Sequence, residues 1–210
     1  MKHIISHSVS PPFGIGLLGG PAKELISSYD EFHAVSIHAK INSSLRNMNK
    51  KAEIVLGLLR LLMGWLMFWA FIDKLFGLGF ATKPEDSWVS GGSPTLGFLK
   101  FAAKGPLKDL FNTLAGNPFI DWLFMMGLLL IGLAMLLGIG VRIAGFSGFI
   151  FMILLYLAGS IFPENNPFLD QHIIYALVFL LLTSSGSGKF LGLGEWWSRT
   201  KLVEKYKLLG

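Results

Sequence analysis

Six ionisable side chains occur at the ends of long apolar segments: Asp73, Lys74, Asp121, Glu164, Asp170 and His172. Carboxylates and an imidazole can exchange protons near neutral pH, and an ammonium group attracts anions. A second interpretation stays open, because charges belong at helix ends and both Asp121 and Asp170 are natural helix caps. The adjacent Asp73 and Lys74 are the sharpest case, since a half-buried pair must be hydrogen-bonded to be tolerated.

Arg60 differs from these residues because it lies inside an apolar segment, 13 positions before Asp73. On a helix it is about 20 Å from Asp73 along the axis, and it shares a face with Lys74 rather than with Asp73. A charged residue within a membrane span faces the bundle interior or extends to the surface. Two roles remain open for Arg60, a structural one satisfied by backbone carbonyls and the binding of an anion or a quinone oxygen.

The elements that position these residues are four apolar segments, each near the ~20 residues needed to cross a bilayer. The chain has 210 residues, of which 52% are hydrophobic and 15% are charged, a composition typical of a membrane protein. We therefore predict an all-α protein with a four-transmembrane-helix bundle. The spans are Ile54 to Ile72, Trp122 to Val141, Ile143 to Phe162 and roughly Gln171 to Phe190.

Basic residues indicate the orientation of this bundle in the cell membrane. They precede the first span, follow the second at Arg142 and follow the fourth from Lys189 onward, whereas the turn "PENNPFLDQH" contains neither Lys nor Arg. By the positive-inside rule, a multi-pass protein with cytoplasmic N- and C-termini is predicted. The six ionisable residues then converge at the outer end of the bundle.

The predicted organisation has three parts. Residues 1–50 form a cytoplasmic-side tail, residues 51–190 form the membrane bundle, and residues 191–210 form an interfacial C-terminal tail with Trp196 and Trp197. Within the bundle, residues from about 77 to 120 form a segment that we call the lid. Its apolar residues recur at helical spacing, which predicts interfacial helices over the outer end of the bundle; they are Leu107, Leu110, Phe111 and Leu114.

Cofactor chemistry is limited by the residues available. The chain has no cysteine, which excludes cysteine-ligated iron–sulfur clusters and thiol relays, and His172 is the only histidine near a span, so no haem is expected. No metal-ligand spacing is apparent. The formal net charge of +5 comes from residues that flank the spans, which indicates orientation in a lipid bilayer and not binding to nucleic acid. Any electron handled here must reside on a bound small molecule or a partner.

Four stretches of the sequence form a recognisable pattern: "LRLLMGWLMFWAFIDKLFGLGF", "SWVSGGSPTLGFLKFAAKGPL", "DWLFMMGLLLIGLAMLLGIGVRIAG" and "DQHIIYALV". Together they resemble the DoxX/DoxD-like family of integral membrane proteins. The resemblance covers about residues 54 to 200 in order, and it is most specific in the first stretch and the last. The resemblance implies a four-helix membrane bundle. In some relatives such a subunit belongs to a thiosulfate:quinone oxidoreductase, which oxidises thiosulfate to tetrathionate and passes electrons to quinone.

Two functional hypotheses follow. In the first, the chain is a quinone-linked oxidoreductase subunit of the thiosulfate dehydrogenase type. His172, Asp170 and Asp73 are its candidate catalytic residues, and its candidate substrate or quinone-binding residues are Lys74, Arg60, Trp69, Trp122 and Asp121, with Trp65 as further aromatic surface. In the second, it is a non-catalytic integral subunit that anchors or stabilises a larger membrane complex. Both hypotheses predict a protein partner or a homo-oligomer.

Overall fold

The computed structural model describes residues 20–161, 163, 168–206 and 209, which are mainly helical and contain no strand. By its internal contacts the chain divides into two compact units, residues 1–49 and 50–210. Helix α1, Gly20–Phe76, begins in the first unit, and its apolar part belongs to the second. The second unit contains every candidate site residue that the structure describes.

Within the described residues, three helical segments are long and apolar enough to cross a bilayer: Asn49–Phe76 at the end of α1, Pro118–Leu137, and Val141–Gly159. The second is helix α3, Pro118–Leu137, and the third consists of helix α4, Val141–Leu155, extended by a π-helical turn, Tyr156–Ser160. These elements form where the sequence predicts spans, because long runs of Leu, Ile, Met and Phe carry few charges. The three helices also leave large apolar side chains exposed, among them Leu62, Leu123 and Leu130, as expected for surfaces that contact lipid.

The predicted fourth span is shorter in the structure. Helix α5, Gln171–Ser184, has 14 residues, which is about 21 Å of helix and less than a ~30 Å hydrocarbon core. It ends before the predicted limit at Phe190 because residues 183–188 have small and mostly polar side chains. The Ser184 and Ser185 hydroxyls donate to carbonyls of the last turn, and Gly186 has a φ of 66°, a left-handed conformation that stops the helix.

Close contacts at glycines establish that neighbouring helices run antiparallel. A methyl group at Gly64 would lie 2.8 Å from the Leu136 nitrogen, and one at Gly132 would lie 2.8 Å from the Phe68 nitrogen. The residue numbers of α1 therefore rise as those of α3 fall. The same holds for α4 and α5, whose backbones approach closely at Gly145. As a result, the end of α1 and the start of α3 lie at one end of the bundle, and we call this the lid end.

The lid contains several short helical pieces rather than one long helix. Its elements are the 3₁₀ turns Pro84–Asp86 and Trp88–Ser90, a π-helical turn, Phe98–Ala102, and helix α2, Lys108–Leu114. The lid packs on the end of α4, since the Lys104 backbone N–H donates to the Ala158 carbonyl at 2.9 Å. A methyl group at Gly159 would lie 3.0 Å from the Phe98 ring, so the two elements are in contact there. The predicted α2 is thus present, and α3 follows it after Asn117, whose side chain accepts from the Phe119 N–H.

The opposite end of the bundle, which we call the Arg60 end, is closed by the C-terminal part of the chain. After α5 come a 3₁₀ turn, Ser187–Lys189, and two short helices, α6, Gly194–Ser198, and α7, Lys201–Lys205. The Leu193 N–H donates to the Leu137 carbonyl at 2.8 Å, which attaches this segment to the end of α3. Between the two ends lies a core rich in methionine, whose flexible side chains fill irregular gaps. Its members include Met63, Met67, Met125, Met135, Met152 and Phe179.

Candidate functional site

Asp73 fastens the first residues of the lid to the end of α1. Its side chain is buried, with 2% of the residue exposed. One carboxylate oxygen accepts from the Phe80 N–H at 3.2 Å and the other from the Ala81 N–H at 2.9 Å. The chain can return to Asp73 because Gly77 adopts a φ of 67°, which favours glycine. Both oxygens of Asp73 are thus occupied by backbone donors of the lid.

Lys74 is adjacent in sequence but differs in its surroundings. The residue is half-buried near the end of α1. Among the residues that the structure describes, its ammonium group has neither a hydrogen bond nor an ion pair. The adjacent Asp73 carboxylate offsets part of its charge, and the partly apolar surroundings screen the remainder less than water does, so the group can still attract an anion.

Asp121 holds the middle of the lid in the same way that Asp73 holds its beginning. It lies in the first turn of α3 and is 6% exposed. Its Oδ1 atom accepts three hydrogen bonds, from the Ser93 hydroxyl at 2.9 Å, the Thr95 N–H at 3.1 Å and the Thr95 hydroxyl at 2.6 Å. Sequence reasoning missed Ser93 and Thr95, although the small polar stretch "SGGSPT" within an apolar lid was a usable signal.

The candidate tryptophans form two separate aromatic groups. Trp65 and Trp69 are neighbours on α1 with ring centroids 5.6 Å apart, and Trp69 contacts the Phe80 ring of the lid edge-on at 5.1 Å. Trp122, on α3, contacts Trp88 of the lid edge-on at 4.7 Å. Trp65 and Trp122 are both more than half exposed. Flat aromatic surface is therefore available at the lid end, part of it facing outward from the bundle.

Asp170 and His172 form a hydrogen-bonded pair at the start of α5. Asp170 is the N-cap of the helix, and its Oδ1 atom accepts from the backbone N–H groups of His172 and Ile173. Its Oδ2 atom lies 2.5 Å from the His172 Nδ1 atom. The side chains are 19% exposed for His172 and 14% for Asp170. A carboxylate hydrogen-bonded to Nδ1 fixes the orientation of the imidazole ring.

These contacts decide which predicted residues the structure brings together. Asp170 and His172 are in direct contact, whereas the hydrogen bonds of Asp73 and Asp121 run to two different segments of the lid. All four belong to helix ends at the lid end of the bundle. Glu164, the sixth candidate, lies outside the described residues, as do His3 and His7 of the N-terminal tail.

Arg60 lies at the other end and is fully buried. Its guanidinium group donates to the carbonyls of Met135 and of Leu136 (3.1 Å) in the last turn of α3. It also donates to the carbonyls of Phe190 at 3.1 Å and Leu191 at 3.0 Å. Of the two roles left open by the sequence, the described contacts are those of a structural arginine satisfied by carbonyls. Its Nε atom is buried without a hydrogen-bond partner among the described residues.

Glycines create the space around Arg60, a role that their sequence did not reveal. A methyl group at Gly192 would lie 2.7 Å from the Arg60 Nη2 atom, and one at Gly138 would lie 2.7 Å from the Gly188 carbonyl oxygen. Gly194 approaches the Gly188 carbonyl more closely still. The glycines of "GSGKFLGLG" therefore permit backbone to pack against backbone and against the guanidinium group.

Comparisons with known proteins add no relative to this picture. No protein-family model matches the chain, and neither a curated protein nor a solved structure matches it. The resemblance to the DoxX/DoxD-like family therefore remains a prediction from the quoted stretches.

Proposed function

We propose that this chain is a DoxX/DoxD-like membrane subunit of a quinone-linked redox system, of the thiosulfate:quinone oxidoreductase type. The observation that carries the proposal is the Asp170–His172 pair, with its 2.5 Å contact, at the end of the bundle that also carries the half-buried Lys74. A proton-exchanging group and a cation beside apolar surface suit a reaction that joins an anion to a lipid-soluble electron acceptor.

The proposal places the protein in the cell membrane with four spans and cytoplasmic termini. Support comes from the three long apolar helices, their exposed apolar side chains and the antiparallel order of the elements. In this topology α5 is the fourth span, lengthened by the segment that follows it. The basic residues Arg142 and Lys189 then lie on the cytoplasmic side, opposite the lid.

The residues at the lid end have separate roles in the proposed reaction. Lys74 attracts thiosulfate electrostatically, Trp69 and Trp122 offer aromatic surface to a quinone ring, and His172 delivers a proton while Asp170 holds its ring in position. The quinone, when bound, supplies the accepting chemistry, since it takes up two protons and the two electrons released when two thiosulfate ions join as tetrathionate. Asp73 and Asp121 serve this site by keeping the lid in place.

The test is quinone reduction by the full-length protein purified from native membranes together with whatever accompanies it. With thiosulfate and a short-chain quinone, we expect reduction that His172→Gln slows at saturating substrate. Lys74→Met should instead raise the KM for thiosulfate, because it removes an attracting charge and no proton-transfer group. The matched control is Lys100→Met, which removes an exposed lysine of the lid and should leave both values unchanged. Reduction that neither variant affects would contradict the proposal.

A second function, a non-catalytic subunit that anchors a larger membrane complex, is favoured by one observation. Arg60, Asp73 and Asp121 all bind the chain's own backbone or lid, so three candidate site residues have structural partners. Mild solubilisation of native membranes followed by size analysis separates the two functions. A partner that co-purifies, together with a preparation inactive towards quinone, supports the anchoring role, whereas a monodisperse single chain counts against it.

A further inference from the structure

A small pocket opens at the Arg60 end, away from the proposed redox site. It lies between the start of α4, the end of α5 and helix α6. Its volume is about 130 Å³. This is far more than the ~10–15 Å³ that a single water molecule requires, so the pocket can accept a larger polar group.

Two cationic side chains line the pocket. Arg142 of α4 and Lys189 of the 3₁₀ turn after α5 both contribute to its lining, and both residues are exposed. Among the described residues that line it, none carries a carboxylate. The nearby Glu195 side chain forms an ion pair with Arg199 at 2.5 Å, which offsets its charge. A guanidinium group and an ammonium group around one cavity are the pair of groups that proteins commonly use to bind phosphate.

Part of the remaining lining is apolar, beside the hydroxyl groups of Thr183 and Ser198, and exposed apolar side chains of α5 begin next to it. Leu182 and Val141 are buried in the pocket wall, and Trp197 adds ring surface because its indole N–H is already bonded to the Leu209 carbonyl at 2.6 Å. On α5, the exposed Leu181 and Leu177 lie four residues apart and therefore on one helical face that leads away from the pocket.

We propose that this pocket binds the phosphodiester headgroup of an anionic phospholipid. Arg142 and Lys189 contact the phosphate, and the first part of an acyl chain lies along Leu181 and Leu177. A lipid fits better than a soluble phosphate ion because the cationic lining adjoins exposed apolar surface. Basic pockets between helices on the cytoplasmic side are also where anionic headgroups bind. The proposal requires insertion in a membrane but does not depend on redox activity.

The test uses the full-length protein, freed of lipid in a neutral detergent and offered phosphatidylglycerol or phosphatidylcholine. Bound lipid is counted by native mass spectrometry. We expect the anionic lipid to bind roughly 10- to 30-fold more tightly than the neutral one, as two cationic side chains near a headgroup would supply. In the variant R142Q/K189Q this preference should disappear. The control K201Q/K205Q removes the same charge from exposed positions outside the pocket and should retain the preference.

Three results would overturn the proposal. The first is equal binding of the two lipids by the unaltered protein. The second is an equal loss of preference in the control variant, which would indicate general surface charge. The third is displacement of phosphatidylglycerol by inorganic phosphate at millimolar concentration, which would assign the pocket to a soluble anion. If the double variant does not fold, K189Q alone, at an exposed position, should still lower the preference several-fold, and an unchanged preference would count against the pocket.

Discussion

The two ends of the bundle use opposite charges to bind the backbone. At the lid end, the carboxylates of Asp73, Asp121 and Asp170 accept hydrogen bonds from backbone N–H groups. At the Arg60 end, a guanidinium group donates to backbone carbonyls. Helix polarity explains part of this difference, because Asp170 accepts from N–H groups in the first turn of α5 and Arg60 donates to carbonyls in the last turn of α3. Asp73 and Asp121 instead accept from N–H groups of the lid.

The ends also differ in the burial and hydrogen bonding of their charged groups. Arg60 is fully buried and bonded to four carbonyls, which leaves it no group for a ligand except the enclosed Nε. At the lid end, by contrast, Lys74 is half-buried and the Asp170–His172 pair is partly exposed. Proton and anion chemistry is therefore expected around Lys74 and the Asp170–His172 pair, and structural rigidity around the buried Arg60, apart from the surface pocket lined by Arg142 and Lys189. The predictions below test this division.

Arg60→Met should have the largest effect. It removes the donor to four carbonyls, and each buried acceptor left without a donor costs roughly 1 kcal/mol, so the total is about 3–5 kcal/mol. The measurement is the thermal unfolding midpoint of the purified protein in detergent. Arg199→Met, at an exposed position, is the control and should shift the midpoint little. If Arg60→Met left the midpoint unchanged, its contacts would not stabilise the fold.

Asp121→Ala comes next, with an expected loss of about 2–3 kcal/mol, because it leaves the buried Thr95 N–H and hydroxyl without an acceptor. The loss should be local. Hydrogen exchange should accelerate in residues 93–103 of the lid, while amides near Arg60 keep their protection. Faster exchange at both ends would show that the two ends are coupled, and it would contradict a separate role for each end.

Asp73→Asn should have a smaller effect, of about 1 kcal/mol, because the amide oxygen can replace only one of the two acceptors for the Phe80 and Ala81 N–H groups. Limited proteolysis between Gly77 and Lys83 is a sensitive measurement, since cleavage requires this segment to detach. Lys83→Gln is the control, as it removes an exposed charge from the same segment. Cleavage at the unaltered rate would show that Asp73 does not hold the lid.

Lys74→Met should change stability least, by roughly 0.5 kcal/mol or less, since the ammonium group has no hydrogen bond or ion pair with the described residues. Its effect should appear only in the KM for thiosulfate. A large fall in the unfolding midpoint would show instead that Lys74 stabilises the bundle, and it would weaken the assignment of ligand chemistry to the lid end.

Much of the fold could be predicted from the sequence because lipid-facing helices need long apolar runs, and such runs are visible in one dimension. Three of the four predicted spans are long apolar helices in the structure, and the spacing of Leu107, Leu110, Phe111 and Leu114 predicted helix α2. Helix α5 is shorter than predicted because small hydroxyl residues and Gly186 separate it from the apolar residues Phe190 and Leu191. The Ser184 hydroxyl bonds to a carbonyl of the last turn, and Gly186 adopts a left-handed conformation, so the helix stops before those apolar residues.

The candidate site was less predictable, since a residue type does not reveal its partner. The sequence placed Asp73, Asp121 and Asp170 at helix ends, and the structure has them there. It could not show that the hydroxyl of Thr95, 26 residues away, would donate a hydrogen bond to Asp121. Nor could it show that the guanidinium group of Arg60 would donate to the carbonyl of Leu191, which is 131 residues away.

By itself, then, the sequence determined the helical class, the positions of the long spans and the level of each charge along its helix, because these properties depend on neighbours in the chain. The tertiary structure decided which charged groups form hydrogen bonds with distant parts of the chain. Hydrogen bonds form over about 3 Å, and only folding brings distant carbonyls, amides and glycines within that distance of Arg60 and Asp121. It also left Lys74 and the Asp170–His172 pair partly exposed at the lid end.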